Sequence, residues 1–354
     1  MHVFTSPQLS PSTAHLLSLA FSLIYVGSIY VSSKARLSFH GKHATIAGNG
    51  SGTSSATVSS TGSSSTASNG PRGKLKDERW RDDPDVIKAR LVAVSTATLA
   101  CCFVVYFLLY RAILPEHISL LDTPARLGFI SSLPPNTSLS LWEILRPHLV
   151  TPVLFLGPLY AVHLSRAFPG QTWWSWEMNV RRVLCTWQGI RNILVAPATE
   201  EIVFRGCIIS ILHLAGVSKN TLISFSPLTF GLAHVHHAWD TFNRYGRTTQ
   251  AAMRALMVTV FQLAYTTLFG CFTSFLFLRT SSIYPAISAH MFCNFMGFPR
   301  IGYEISMFPT KKKHIVTVYL IGIAAFIYVL PNWTFTRDSH YWINYTQGHS
   351  GNIY

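Results

Sequence analysis

The chain has 354 residues, of which only 12% are charged, and its mean hydropathy is +0.30. Soluble domains usually carry about 25% charged residues, so much of this chain must face something other than water. The formal net charge of +14 could indicate nucleic-acid binding. Basic residues in a membrane protein, however, gather in its cytosolic loops. Composition therefore argues against a soluble protein and a nucleic-acid partner, and it predicts a polytopic membrane protein.

Eight apolar segments approach the length of roughly 20 residues that a helix needs to cross a bilayer. They lie at residues 16–32, 91–110, 149–164, 190–214, 222–236, 256–278, 283–298 and 315–330. The first lacks the basic start of a cleavable signal, so it is interpreted as a true span. Basic residues fall in alternate loops, which puts both termini in the lumen and the basic loops in the cytosol. We expect an all-α protein of about eight transmembrane helices.

Two adjacent carboxylates, Glu200 and Glu201, are the only acidic residues within a predicted span. A carboxylate in hydrocarbon costs on the order of 3 kcal/mol by insertion scales unless it is paired or hydrated. On a helix, Glu201 and Arg205 are four residues apart and can form an ion pair. Glu200 points roughly 100° away and has no such partner. This spacing predicts that Glu201 is neutralised while Glu200 stays free for chemistry, although all three could instead form one structural network.

Two further polar clusters occur in apolar segments. His234 is the deepest of three histidines, and His236 and His237 are expected at the cytosolic mouth, where any direct role is left open. His290 and Asn294 are four residues apart and share a helix face. Both can donate hydrogen bonds, which suits an oxyanion hole. The three polar faces predict a shared catalytic cavity that is open to the cytosol.

The motifs Glu-Glu-x-x-x-Arg, Phe-x-x-x-His and His-x-x-x-Asn occur in this order, at membrane depth. Together they resemble the CAAX prenyl protease 2 family, also called Ras-converting enzymes, within the wider group of bacterial self-immunity membrane proteases. The resemblance covers roughly residues 86–331. It implies removal of the last three residues of prenylated CAAX proteins, such as Ras-like small GTPases, at the cytosolic face of the endoplasmic reticulum. Membrane lipid is the other expected partner, and no cofactor or metal is expected.

The same resemblance assigns roles to individual residues. The first Glu of the pair and the Phe-x-x-x-His histidine activate water in that family, and they correspond to Glu200 and His234. The later His and Asn form the oxyanion hole, and they correspond to His290 and Asn294. The second Glu and the Arg support the site, which agrees with the ion pair expected from helical spacing.

Four regions follow from this interpretation. Residues 1–37 hold the first span, and residues 38–85 form a disordered cytosolic linker, rich in Ser, Gly and Thr and then in charges. The mixed-charge stretch from Arg72 to Arg90 is expected to stay solvated. The intramembrane protease domain covers residues 86–331, and residues 332–354 form a short tail. Five of the six cysteines lie at membrane depth, so a structural disulfide framework is not expected.

Two alternatives remain open. A zinc-dependent membrane protease could use Glu200, His234 and His290 as its three ligands, a common number for catalytic zinc. The chain has no His-Glu-x-x-His sequence, and these ligands would come from three separate segments. A transporter or scaffold could also hold buried Glu, Arg and His residues along a proton or substrate pathway. Transporters often have two related halves, and no such repeat is found in this sequence.

Overall fold

The computed structural model describes residue 4 and residues 6–39, 70–112, 121–130, 139–336 and 339–342. Helices make up its regular structure, and the described residues contain no strand beyond an isolated bridge between Ser38 and Arg79. The main helices are α1 (Pro11–Val31), α2 (Pro84–Ala112), α3 (Asp122–Arg126), α4 (Leu141–Leu154), α5 (Leu156–Leu164), α6 (described below), α7 (Lys219–Ser224), α8 (Ser226–Ala233), α9 (His237–Arg244), α10 (Thr249–Thr280), α11 (Tyr284–Met296), α12 (Ile301–Met307) and α13 (Lys312–Trp333).

Helix α6 is a continuous helical run in which α-helical and wider π-helical turns alternate. Its parts are Ile190–Val195 (π), Ala196–Glu201 (α), Ile202–Cys207 (π) and Ile208–Leu214 (α). Short turns also occur at Glu177–Arg181, Arg182–Leu184, Trp187–Gly189 and Pro309–Lys311. The first wide turn of α6 comes directly before Pro197, which has no N–H to donate to the turn before it. Wide turns of this kind are frequent at functional sites.

Within the described residues, four helices are long and apolar enough to cross a membrane: α1, α2, α10 and α13. The α4–α5 pair meets the same criteria as one broken span, bent by 69°. Pro158 lies just after this bend, and its missing N–H removes a hydrogen bond at that point. The all-α, multi-pass prediction is therefore confirmed, but the count of about eight spans is not. The other three predicted spans correspond to α6, with its mixed turns, and to shorter helices.

The core joins α1, α6, α8 and α10 through buried aromatic and aliphatic side chains. Phe204 of α6 lies at its centre: its ring centroid is 5.8 Å from that of Tyr25 in α1 and 5.1 Å from that of Phe230 in α8. Both contacts are edge-on, the geometry that aromatic quadrupoles favour. This packing places both α1 and α8 against the helix that carries the paired carboxylates.

The charged stretch before α2 folds against the helical body. The Arg72 backbone N–H donates to the Arg244 carbonyl at 2.9 Å, and Arg72 also pairs with the buried carboxylate of Glu78. Arg90 is buried as well, and its Nε donates to the Ala35 carbonyl at 2.9 Å. The expectation that these charges stay solvated is therefore wrong for Glu78 and Arg90, since each has a specific partner. The Ser/Gly/Thr tract lies largely outside the described residues, and the four region boundaries stay a prediction.

Candidate active site

Glu201 and Arg205 form a fully buried ion pair on α6. The distance from Arg205 Nε to Glu201 Oε2 is 3.2 Å, and the two side chains are 1% and 0% exposed. The Arg205 guanidinium also lies over the Phe230 ring, 4.4 Å from its centroid. A buried charge needs such partners, because desolvation otherwise costs several kcal/mol. The four-residue spacing thus produces the contact that helical geometry allows.

His290 of α11 contacts both carboxylates. Its Nδ1 lies 2.7 Å from Glu201 Oε1, and its Nε2 lies 3.7 Å from Glu200 Oε2. Because an ionised carboxylate can only accept, Nδ1 donates to Glu201. Glu201 is thus held from two sides, by Arg205 and by His290. Glu200 has the looser contact and remains 17% exposed.

Glu200 and His234 line the same cavity, an apolar-walled opening beside α6. His234 ends α8, and its Nδ1 lies 2.8 Å from the Phe230 carbonyl oxygen. A carbonyl can only accept, so Nδ1 carries the proton and Nε2 keeps a lone pair in the neutral ring. The cavity therefore has a carboxylate and an imidazole nitrogen that can both accept a proton from water.

The other two histidines of this segment also line the cavity. His236 Nδ1 lies 2.7 Å from the Ala233 carbonyl oxygen, and the His236 and His237 ring centroids are 4.0 Å apart. The two rings are tilted against each other, and they form part of the cavity wall beside His234.

Asn294 lies one turn after His290 on α11 and contacts the backbone of α6. Its side chain is exposed, and its Nδ2 donates to the Asn192 carbonyl at 2.7 Å. Asn192 is among the cavity-lining residues, whereas His290 and Asn294 are not among the described residues that line it. The amide nitrogen of Asn294 carries two hydrogens, so one remains free. The pair therefore contacts the site through the two carboxylates and through the backbone of Asn192.

Sequence reasoning missed several polar residues of the cavity wall. Tyr25 of α1 lines the cavity, and its hydroxyl lies 2.9 Å from that of Thr199, the residue before Glu200. Arg81 and Arg191 line it too. A signal existed for Arg191, which is a charged residue in the predicted span 190–214. No sequence pattern connects Tyr25 or Arg81 to α6, because both lie more than a hundred residues before it.

The alternative zinc site would have Glu200, His234 and His290 as its ligands. Among the described residues, no group of three or more His, Cys, Asp or Glu side chains has a geometry that could hold a metal ion. The two contacts of His290 to carboxylates are those of a hydrogen-bonded histidine. The expectation of a metal-free site stays a prediction.

A carboxylate and a histidine lining one cavity, inside an apolar helical body, define a membrane-embedded hydrolase. A family model described as "Type II CAAX prenyl endopeptidase Rce1-like" matches residues 182–296, which include all six residues singled out from the sequence. Curated relatives cover more of the chain. The chain is 31% identical to "Probable CAAX prenyl protease 2" of Schizosaccharomyces pombe, over 70% of this chain and 80% of that protein.

Other relatives agree. "CAAX prenyl protease 2" of Homo sapiens is 31% identical over 73% of this chain and 75% of its own length. The Saccharomyces cerevisiae protein of that name is 30% identical over 62% of this chain and 72% of its own length. No solved structure matches the chain. The chain belongs to the CAAX prenyl protease 2 family, and it is an endopeptidase.

Proposed function

We propose that this protein removes the C-terminal tripeptide from prenylated CAAX proteins, with Glu200 as the general base. The observation that carries this proposal is the unequal surroundings of the two carboxylates. Glu201 is enclosed by Arg205 and His290, whereas Glu200 borders the cavity that His234 also lines. A base must be within reach of the proton that it removes, and of the two carboxylates only that of Glu200 has this access.

The proposed reaction uses one water molecule between Glu200 and His234. The lone pair on His234 Nε2 accepts a hydrogen bond from this water, and Glu200 removes its other proton as the oxygen attacks the scissile carbonyl. A tetrahedral oxyanion forms. Glu200 then returns the proton to the leaving amine as the C–N bond breaks, so that protons balance across the two steps. General acid–base catalysis of this kind is typically worth about 10²–10⁴-fold.

His290 and Asn294 are proposed to stabilise the oxyanion. For this role His290 must be protonated at both ring nitrogens, so that Nδ1 donates to Glu201 while Nε2 donates to the oxyanion. The Asn294 amide has a spare hydrogen that can serve as the second donor. Removing one such donor typically costs about 10²–10³ in kcat. The Glu201–Arg205 pair is proposed to orient α6, so that Glu200 keeps its position at the cavity.

We further propose that the protein resides in the endoplasmic reticulum membrane with its cavity facing the cytosol, where prenylated substrates such as Ras-like small GTPases are exposed. The alternation of basic and neutral loops in the sequence supports this orientation. Cysteine accessibility in sealed microsomes tests it, with exposed Cys185 as the native reporter and a cysteine-free variant as the control.

The deciding experiment is incubation of the purified protein with a farnesylated CAAX peptide, with release of the terminal tripeptide as the readout. Wild-type protein should release it, and Glu200→Ala should reduce the rate at least about a hundredfold. Glu177→Ala is the matched control, because Glu177 is an exposed glutamate paired only at the surface. A well-folded Glu200→Ala protein with activity within about tenfold of wild type would exclude Glu200 as the base.

A further inference from the structure

Part of the wall of the catalytic cavity is strongly basic, and the proposed mechanism gives these basic residues no role. Arg81, Arg90 and Arg191 line the cavity together with Glu200 and His234. Arg81 and Arg90 come from the segment before α2 and from α2 itself, outside the residues that the family model matches. The only carboxylate among the described cavity-lining residues is that of Glu200.

Two of these three arginines already have partners. Arg191 Nη2 pairs with Asp82 at 3.0 Å, and its Nη1 donates to the Arg81 carbonyl at 2.7 Å. The pKa of Asp82 lies below its usual range, since the hydrogen bond and charge of Arg191 outweigh the effect of partial burial. Arg90 donates through Nε to the Ala35 carbonyl. These contacts hold the backbone of residues 81 and 82 against α6.

The guanidinium of Arg81 differs from the other two. Within the part of the chain that the structure describes, it makes no hydrogen bond or ion pair, although its backbone is fixed by Arg191. Burial lowers the pKa of Arg81 and the adjacent charge of Arg191 lowers it further, whereas the charges of Asp82, Asp240 and Glu200 offset part of this effect. None of these three carboxylates forms an ion pair with the Arg81 guanidinium in the described residues, so its hydrogen-bond donors stay available to an anionic ligand. Its position is therefore prepared for a negatively charged ligand.

A second cavity continues from the first at this point. Arg81, Arg90, His236 and His237 line both cavities, and the second cavity also reaches Asp240. Asp240 lies 3.6 Å from Arg244, so an arginine outside the cavity already partly balances its charge. A ligand in the first cavity thus has access both to the Glu200 and His234 side chains and to Arg81.

We propose that Arg81 binds the free C-terminal carboxylate of the substrate, and that it thereby sets where the chain is cut. This inference rests on the proposed release of a tripeptide. Three extended residues span at most about 10 Å, so the carboxylate lies one short peptide length from the scissile bond at Glu200. Arg fits this role because its planar guanidinium binds a carboxylate through two parallel hydrogen bonds. An enzyme that requires this contact cuts only near a free C-terminus.

Binding to a farnesylated CAAX peptide tests the proposal directly. The peptide is made with an N-methylated scissile amide, so that it is not hydrolysed, and with either a free C-terminal acid or a C-terminal amide. Wild-type protein should bind the acid at least about tenfold more tightly than the amide, as expected for a charge-assisted hydrogen bond. Arg81→Gln should bind both forms with the affinity that wild type has for the amide.

Arg79→Gln is the matched control, because Arg79 lies two residues away in the same segment and lines neither cavity. It should keep the wild-type preference for the acid. Arg81→Lys retains the charge without the planar fork and should keep part of the preference. With a cleavable peptide acid, Arg81→Gln should raise KM and leave kcat nearly unchanged, as for a contact made equally in the ground and transition states.

Equal binding of acid and amide by wild type, or an undiminished preference in folded Arg81→Gln, would overturn the proposal. If Arg81→Gln does not fold, the wild-type ratio and the partial preference of Arg81→Lys decide the question. Failure of the proposed function looks different. Suppose the protein binds the acid more tightly through Arg81 but releases no tripeptide from the cleavable peptide. The carboxylate-binding site would then stand, and the proposed cleavage would be refuted.

Discussion

Breaking the buried pair on α6 should destabilise the protein, and the two single substitutions should differ in size. Removing one partner of a buried ion pair typically costs about 3–5 kcal/mol. Arg205→Gln leaves Glu201 with His290 as a remaining partner at 2.7 Å. The loss of unfolding free energy should therefore fall at or below the lower end of this range. Glu201→Gln leaves the Arg205 guanidinium buried, with Nη1 and Nη2 lacking hydrogen-bond partners among the described residues. Its cost should therefore be the larger.

The assay is thermal unfolding in detergent together with the yield of folded membrane protein. One kcal/mol shifts Tm by about 2–4 °C in domains of 150–250 residues, so Glu201→Gln should lower Tm by about 5 °C or more. The double variant Glu201→Gln/Arg205→Gln removes both charges and should recover more stability than the Glu201 change alone. Arg181→Gln is the control, because the Arg181–Glu177 pair has the same four-residue spacing but is exposed, and such pairs contribute about 0.3–0.5 kcal/mol.

A different outcome would refute this reasoning. If both single variants unfold at the wild-type temperature and only their activity falls, the charges do not depend on each other for stability. Arg205 would then act on the substrate, and the interpretation of the pair as structural would be wrong. Partial return of activity in the double variant is compatible with the proposal, since the pair also orients Glu200.

Three further predictions concern the site and its packing. His234→Ala should reduce tripeptide release nearly as much as Glu200→Ala while leaving Tm in detergent within a few degrees of wild type; activity near wild type would contradict its role in activating water. Exhaustive dialysis against a strong chelator should leave activity unchanged, whereas stoichiometric zinc, with activity lost on removal and restored on return, would require a metal mechanism. Gly270→Ala should destabilise by about 1–3 kcal/mol, because its Cβ would lie 2.6 Å from the Pro227 Cβ and 2.9 Å from Arg205 Nη2. Gly302→Ala, whose Cβ meets nothing within 4 Å, should be neutral, and equal Tm values would refute the close packing.

The sequence predicted the polar site better than the membrane topology. Charged residues are so rare at membrane depth that Glu200, Glu201 and Arg205 stand out, and helical periodicity alone brings the last two together. The contact of His290 with both carboxylates could not be predicted, because it depends on how α11 packs against α6. Periodicity within one helix carries no information about the distance to another.

The number of spans was harder to predict for a related reason. Hydropathy measures how apolar a segment is but not whether its helix continues, and prolines interrupt several of these segments. The bend of 69° between α4 and α5 and the separation of α7 from α8, whose second residue is Pro227, both divide one predicted span into two helices. The first wide turn of α6, Ile190–Val195, likewise ends just before Pro197. An apolar stretch with internal proline therefore predicts apolar surroundings, and it does not predict one straight helix.

The first helix does more than attach the chain to the membrane. Tyr25 lines the cavity and bonds to Thr199, so α1 contacts the turn that carries Glu200 and closes one side of the site. The segment before α2 closes another side with Arg81 and fixes α6 through the Asp82–Arg191 pair. The matched motifs carry Glu200 and His234, the groups proposed to activate water, and these two N-terminal elements form cavity walls around them. A protein reduced to the matched region of residues 182–296 would keep Glu200 and His234 but lose the walls that Tyr25 and Arg81 form.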